Sequence, residues 1–213
     1  MYVLIHKNHV IVGPMGWNRP MFEGALEKLN IPSFLPRSDP ETVPVTVDND
    51  TYVTGCQIII PDYDVRTETY YGPFWDFSND KLAIGTYAVK TKQIWEIQDW
   101  LRQQASSNRY AVEIGGTKTT IQGLQVSLDT SREGRAIFLQ KYSLMGDTDV
   151  VNWKFPEGWV TLTKQELAQC IDAGAAHIQA TFDWEKSKDE EISGASTVDE
   201  LKQIDISNVP NQN

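Results

Sequence analysis

The chain has 213 residues, enough for one large domain or two small ones around a sizeable core. Hydrophobic residues make up 40% and charged residues 23%, with seven Trp and eight Tyr, a folded rather than a disordered composition. A formal charge of −10 argues against binding nucleic acid through its phosphates, and no run reaches the ~18 apolar residues of a membrane span.

The start of the chain, Met1 to His6, is too short an apolar run for a signal peptide. Cys56 and Cys170 stand far apart with no CxxC, which fits synthesis in a reducing cytosol. Tyr2 to Ile5 and His9 to Val12 predict a hairpin turning at Lys7-Asn8 and ending at Gly13-Pro14. Arg19 to Leu29 predicts a short helix with Phe22, Leu26 and Leu29 on one face and Pro20 in its first turn. Four prolines from Pro32 to Pro44 predict an extended connection.

Strand signals follow at Val43 to Val47, Gln57 to Ile60 and Ala83 to Val89, with Asp48-Asn49-Asp50 and Gly72-Pro73 as turns. Tyr70, Tyr71, Phe74, Trp75 and Phe77 form an aromatic cluster that could serve a protein interface, line a ligand site or pack a small β-rich core. Thr91 to Gln104 predicts a helix with Ile94, Ile97 (or Gln98) and Leu101 on one face. Tyr110 to Ile114 and Thr119 to Leu128 predict two strands joined across Gly115-Gly116. Gly115-Gly116-Thr117-Lys118 lacks the spacing of a phosphate loop.

Arg132 to Met145 predicts a helix with Ala136, Leu139 and Tyr142 inward and Gly146 just past its end. Val150 to Phe155 and Trp159 to Leu162 predict a hairpin around Pro156-Glu157-Gly158. Thr163-Lys164-Gln165-Glu166 is a capping box opening a long helix with Leu167, Ile171, Gly174, Ile178 and Phe182 on one face. Glu185 to Glu191 continues that helix into solvent, and Ser193-Gly194 ends it. A second capping box, Thr197-Val198-Asp199-Glu200, starts a short return helix through Ile204. The tail from Asn208 to Asn213 has no core-forming residue.

Chemistry-bearing patterns are sparse. His6 and His9, three apart on a predicted strand, would point to opposite faces, and His177 has no second ligand at helical spacing, so no metal site is expected. Cys170 and His177 lie two helical turns apart, about 10 Å, too far for a nucleophile–base pair. Asp62-Tyr63-Asp64 and Asp147-Thr148-Asp149 suit turns better than cation loops. No catalytic residue, no cofactor and no enzymatic activity are expected.

Two stretches carry a resemblance. One is Arg109-Tyr110-Ala111-Val112-Glu113-Ile114-Gly115-Gly116, followed by Ile121 to Glu133 with its Asp129-Thr130-Ser131-Arg132-Glu133 entry. The other runs through Val151-Asn152-Trp153-Lys154-Phe155, Trp159 to Thr163, and Ala176-His177-Ile178-Gln179-Ala180-Thr181-Phe182-Asp183-Trp184-Glu185. Together, over about residues 100 to 190, they resemble a phage and prophage domain of unknown function found at the C-termini of tail-fibre-associated proteins. Gly134-Arg135 departs from the polar pair expected at that helix entry. The resemblance implies a tail-associated protein and gives no catalytic residues.

The expected fold is α+β. A β-rich domain with one short helix over 1–104 precedes a domain over 105–213 of helix, β-hairpin, long helix and short helix. The resemblance implies a structural virion protein of a tailed bacteriophage that links tail fibres to the baseplate or tail and is made in the host cytoplasm. The alternatives are a fibre-assembly chaperone that leaves the particle and a glycan-degrading tail enzyme. The expected partners are other tail, baseplate or tail-fibre proteins and further copies of the chain, met through Tyr70, Tyr71, Phe74, Trp75, Phe77, Trp153 and Trp159.

Overall fold

In the computed structural model, which describes residues 1–210 apart from Phe34, Glu41 and Asp80, the first hairpin forms where the turn chemistry places it. Strands β1 (Tyr2–His6) and β2 (His9–Met15) meet across Lys7 and Asn8, whose φ angles of 49° and 59° are the positive pair of a two-residue I′ turn. The hairpin makes His6 and His9 direct cross-strand partners. The opposite-face reading is thereby corrected, because the chain reverses between them. Each Nδ1 is already engaged, with Thr51 Oγ1 at 2.8 Å for His6 and with the Lys7 carbonyl at 2.8 Å for His9. Among the described residues no group of three or more His, Cys, Asp and Glu is placed to hold a metal.

The chain divides into two compact units, Met1–Lys92 and Gln93–Asn213. In the first, β1 pairs with β4 (Thr51–Ile59), β4 runs parallel to β6 (Leu82–Thr91), and β5 (Glu68–Asp76) forms the far edge. The order is β2-β1-β4-β6-β5, with β3 (Val45–Asp48) paired to the start of β4. Alternation along β1 sends Leu4 to one face and Val3 and Ile5 to the other, and all three are fully buried. Helix α1 (Arg19–Lys28), capped by the Asn18 side chain, lays Phe22 and Leu26 against Leu4, Leu35 and Val53. Leu29 is the C-cap and stays partly exposed, because the helix ends before its side chain can complete the stripe. Gly72-Pro73 is a bulge inside β5, where the pairing with β6 slips between Tyr71 and Phe74, rather than a turn between elements.

The second unit is built on two antiparallel helices, α2 (Ile94–Ile114) and α4 (Lys164–Gly194). Tyr110 to Ile114 is helical, not a strand, because Ile97, Leu101, Ala105 and Glu113 continue one buried line at helical spacing. The weak helix formers Ser106, Ser107 and Asn108 interrupt the apolar pattern; Asn108 instead donates to the Ile206 carbonyl at 2.8 Å. The expected boundary after residue 104 falls inside this helix. Gly115 caps it and Gly116 (φ 90°) turns the chain away. The segment read as one strand is a hairpin, β7 (Thr117–Ile121) and β8 (Leu124–Leu128), turning at Gln122-Gly123 with φ of 53° and 78°.

Helix α3 (Arg132–Leu144) buries Gly134 and Phe138, whereas Ala136, Leu139 and Tyr142, expected inward, are exposed. The hairpin β9 (Val150–Phe155) and β10 (Gly158–Thr163) forms as expected, with Gly158 at φ 145°. Both capping boxes are present, at Thr163–Glu166 and at Thr197–Glu200, where α5 (Val198–Gln203) begins. The buried seam of α4 is Leu167, Cys170, Gly174, His177 and Thr181. Of the expected stripe only Leu167 and Gly174 lie on it. Ile171 and Ile178 are half-buried beside it, and Phe182 is exposed. Two cores result. Ile121, Val126, Leu128, Phe138, Phe155, Val160, Leu162 and Leu167 fill one, and Ile97, Leu101, Ile192, Leu201 and Ile204 fill the other. The charged stretch of α4 is largely exposed, as expected, with Arg102 lying 2.7 Å from Asp189 and donating to Ser193 Oγ at 2.9 Å at the surface, before Ile192 turns into the core. No described helix is long and apolar enough to cross a membrane.

Candidate functional site

Four residues from the stretches that carry the resemblance, Arg109, Glu113, Thr130 and His177, meet at the C-terminal end of α2. The last carbonyls of a helix lack intrahelical donors. Here His177 on α4 supplies one, its Nε2 donating to the Val112 carbonyl at 3.0 Å, and Gly115 N–H adds a second at 3.1 Å. Thr130, between β8 and α3, donates its hydroxyl to the Glu113 carbonyl at 2.5 Å and accepts from Gly116 N–H at 3.0 Å. The carbonyl acceptor fixes the proton of His177 on Nε2, and its buried Nδ1 has no hydrogen-bond partner among the described residues.

Beside these caps lies a four-charge lattice. Glu113, 6% exposed, is paired with Arg109 through Oε2 and with Arg135 through Oε1 at 3.2 Å. Arg109 also lies 2.6 Å from Glu185, and its guanidinium sits 4.4 Å from the centre of the Phe182 ring. A buried carboxylate left alone costs several kcal/mol, so two cations around Glu113 offset its desolvation and the four formal charges cancel. Arg109 and Glu113 are four residues apart, a spacing that on a helix brings their side chains together and that could have signalled helix here. Arg135 has no comparable signal, because it meets Glu113 only through the tertiary fold.

Gly134-Arg135, the departure from the family pattern, is used by this structure. A Cβ at Gly134 would fall 2.5 Å from Asp129 Cγ and 2.6 Å from the Asp129 carbonyl. That space is closed because Asp129 accepts from Ser131 N–H at 2.8 Å while Ser131 caps Gly134 N–H at 3.1 Å. The tight entry sets α3 so that Arg135 reaches Glu113. An apolar cavity of about 310 Å³ adjoins the lattice between α3 and α4, walled by Leu128, Phe138, Cys170, Ile171, Gly174 and Ile178, with Arg135 and Gln179 at its polar rim. Burial, with Glu166 adding to it, pushes the Cys170 thiol up to about 11, so this wall is neutral and weakly nucleophilic.

The aromatic residues expected at an interface separate. In the first unit Trp75 lies against Gly85, stacks on Phe77 at 6.4 Å and packs with it on the Val3, Ile5, Cys56 and Ala83 core. Tyr70 meets Tyr87 edge-on at 4.9 Å, while Tyr71 and Phe74, 5.5 Å apart, occupy the other face of β5 and are 46% and 55% exposed. In the second unit Trp153 stacks on Phe138 at 4.4 Å, whereas Trp159 points to the opposite face of its hairpin, 70% exposed beside Lys154.

Residues 96–208, more than half of the chain, match the family described as Domain of unknown function (DUF4376). The chain belongs to this family. The DUF4376 region begins in the first turn of α2 and ends beyond α5. It therefore holds the helix caps, the charge lattice and the cavity, and none of the β5 aromatics. No curated protein and no solved structure matches the chain.

Proposed function

We propose that this DUF4376 protein is a structural component of the tailed-bacteriophage virion, joining tail fibres to the baseplate or tail through protein contacts rather than catalysis. The observation that carries the reading is the use made of the motif residues. Arg109, Glu113, Thr130 and His177, four polar residues within the resembling stretches, close and brace the end of α2. Buried groups held in this way serve architecture. Of the aromatic residues expected at an interface, Tyr70, Tyr71 and Phe74 in one unit and Trp159 in the other are exposed and open to partners. The net charge of −10 fits protein partners better than nucleic acid.

Quantitative mass spectrometry of purified particles of a phage encoding the chain tests this. The expected result is a fixed copy number per particle in a fixed ratio to baseplate or fibre proteins. Absence from finished particles, together with fibreless particles when the gene is deleted, would replace this reading with the assembly-chaperone one. Release of sugars from host envelope material by the purified chain would replace it with an enzymatic one.

A further inference from the structure

Helix α3 is short of packing for its length. Of Arg132–Leu144 it buries Gly134 and Phe138, while Ile137, Leu139 and Leu144 are 49%, 54% and 74% exposed. Leu139, two residues from Ile137 and so on the opposite side of the helix, borders the cavity against α4, which leaves Ile137 and Leu144 as the exposed apolar pair of the outer flank. Ile137 and Leu144 are two turns apart on one flank, and Glu133 and Lys141 fall on the same stripe, one turn before and one turn after Ile137. Along that flank runs a cleft of about 340 Å³ walled by Ile114, Ile137, Phe138, Trp153 and Phe155. A ridge beside a groove is the relief into which a second helix packs.

The charges select which helix. Glu133 and Lys141 are each four residues from Ile137, roughly 6 Å along the axis. An antiparallel copy of α3 centred on Ile137 would set Glu133 against the partner's Lys141 and Lys141 against the partner's Glu133, with the two Ile137 side chains meeting at the axis. A parallel copy would set like charges together and align the helix dipoles unfavourably. Neither Glu133 nor Lys141 makes an ion pair among the described residues. We infer that α3 is a self-association surface, on which two copies of the chain pair antiparallel about a twofold axis at Ile137. Such an interface is isologous and closes on itself. It deepens the assembly reading by naming a second copy as a partner, and because it is read on the purified chain, its failure is distinct from a failure of the virion count.

The test is light scattering and sedimentation of the full chain over rising concentration. The mass should climb from 24.1 kDa towards twice that value. Ile137 is exposed, so I137R should fold with unchanged circular dichroism and stay at 24.1 kDa throughout. E133K and K141E should each weaken the dimer about tenfold, through two like-charge contacts per pair. Mixed in equal amounts, these two variants should recover a heterodimer, because both contacts again join opposite charges. A wild-type chain that stays monomeric overturns the inference. So does an I137R dimer, or a mixture no tighter than either variant alone.

Discussion

Cys170 lies on the buried seam of α4, 2% exposed, with Leu167 and the apolar wall of the cavity around it. Burial disfavours the thiolate, so the folded chain holds the thiol proton up to about 11 against an ordinary 9.0. Between these values the unfolded chain has released the proton and the folded chain has kept it. Stability from this group is therefore present below pH 9 and drains away as the pH rises towards 11. Tyr and Lys residues titrate over the same range, so the measurement is a difference. Urea unfolding of the wild type and of Cys170→Ala, each at pH 8.5 and pH 11, should show the wild type losing roughly 2 kcal/mol more. Equal losses would mean that the seam opens to solvent before the thiol ionises. The buried Glu113 is handled differently: Arg109 and Arg135 are both brought to its carboxylate.

At the scale of elements, caps and tight turns were legible and packed seams were not. Lys7-Asn8, Pro156-Glu157-Gly158 and the two capping boxes act within a few residues, so the sequence contains both partners of each interaction. The second half of α2 carries no apolar helical signal in the sequence because its helical state rests on packing against α4, and its polar Ser106-Ser107-Asn108 stretch breaks the apolar period. The α4 seam departs from the apolar stripe for a related reason. Apolarity favours Ile171, Ile178 and Phe182, whereas the buried positions are taken by the smaller Cys170, Gly174 and Thr181 and by the hydrogen-bonding His177. Lattice members such as Arg135 and Glu185 have partners 22 and more residues away and leave no local trace. The box at Thr163 can be weighed directly. Its hydroxyl accepts from Glu166 N–H at 3.2 Å, and its own N–H donates to Glu166 Oε2 at 2.8 Å. Thr163→Ala should cost about 1 kcal/mol in urea unfolding, and Thr163→Ser should recover most of it. A loss confined to a few tenths would mean that packing, not the cap, holds the first turn.

For the whole molecule, the place where one unit ends decides which fragment can stand alone. A division after residue 104 supposes that α2 finishes there. The helix runs on to Ile114, and the cut would remove Ile97 and Leu101 from the core that they share with Ile192, Leu201 and Ile204. It would also remove Gln98, whose side chain donates to the Ile192 and Ala195 carbonyls at 3.1 and 3.2 Å and so closes the end of α4. A cut before Gln93 keeps all of these, along with the Gln93 N–H bond to Glu96 Oε2 at 2.7 Å that starts α2. Burying two Leu or Ile side chains contributes roughly 3–6 kcal/mol, a large share of the stability of a domain this size. Residues 93–213 should therefore melt in a single cooperative transition by calorimetry and circular dichroism. Residues 105–213 should melt far lower or aggregate, with the α4–α5 end disordered. A 105–213 fragment as stable as 93–213 would show that the core at the start of α2 is dispensable, and the unit would then be defined by its two hairpins, α3 and the first half of α4.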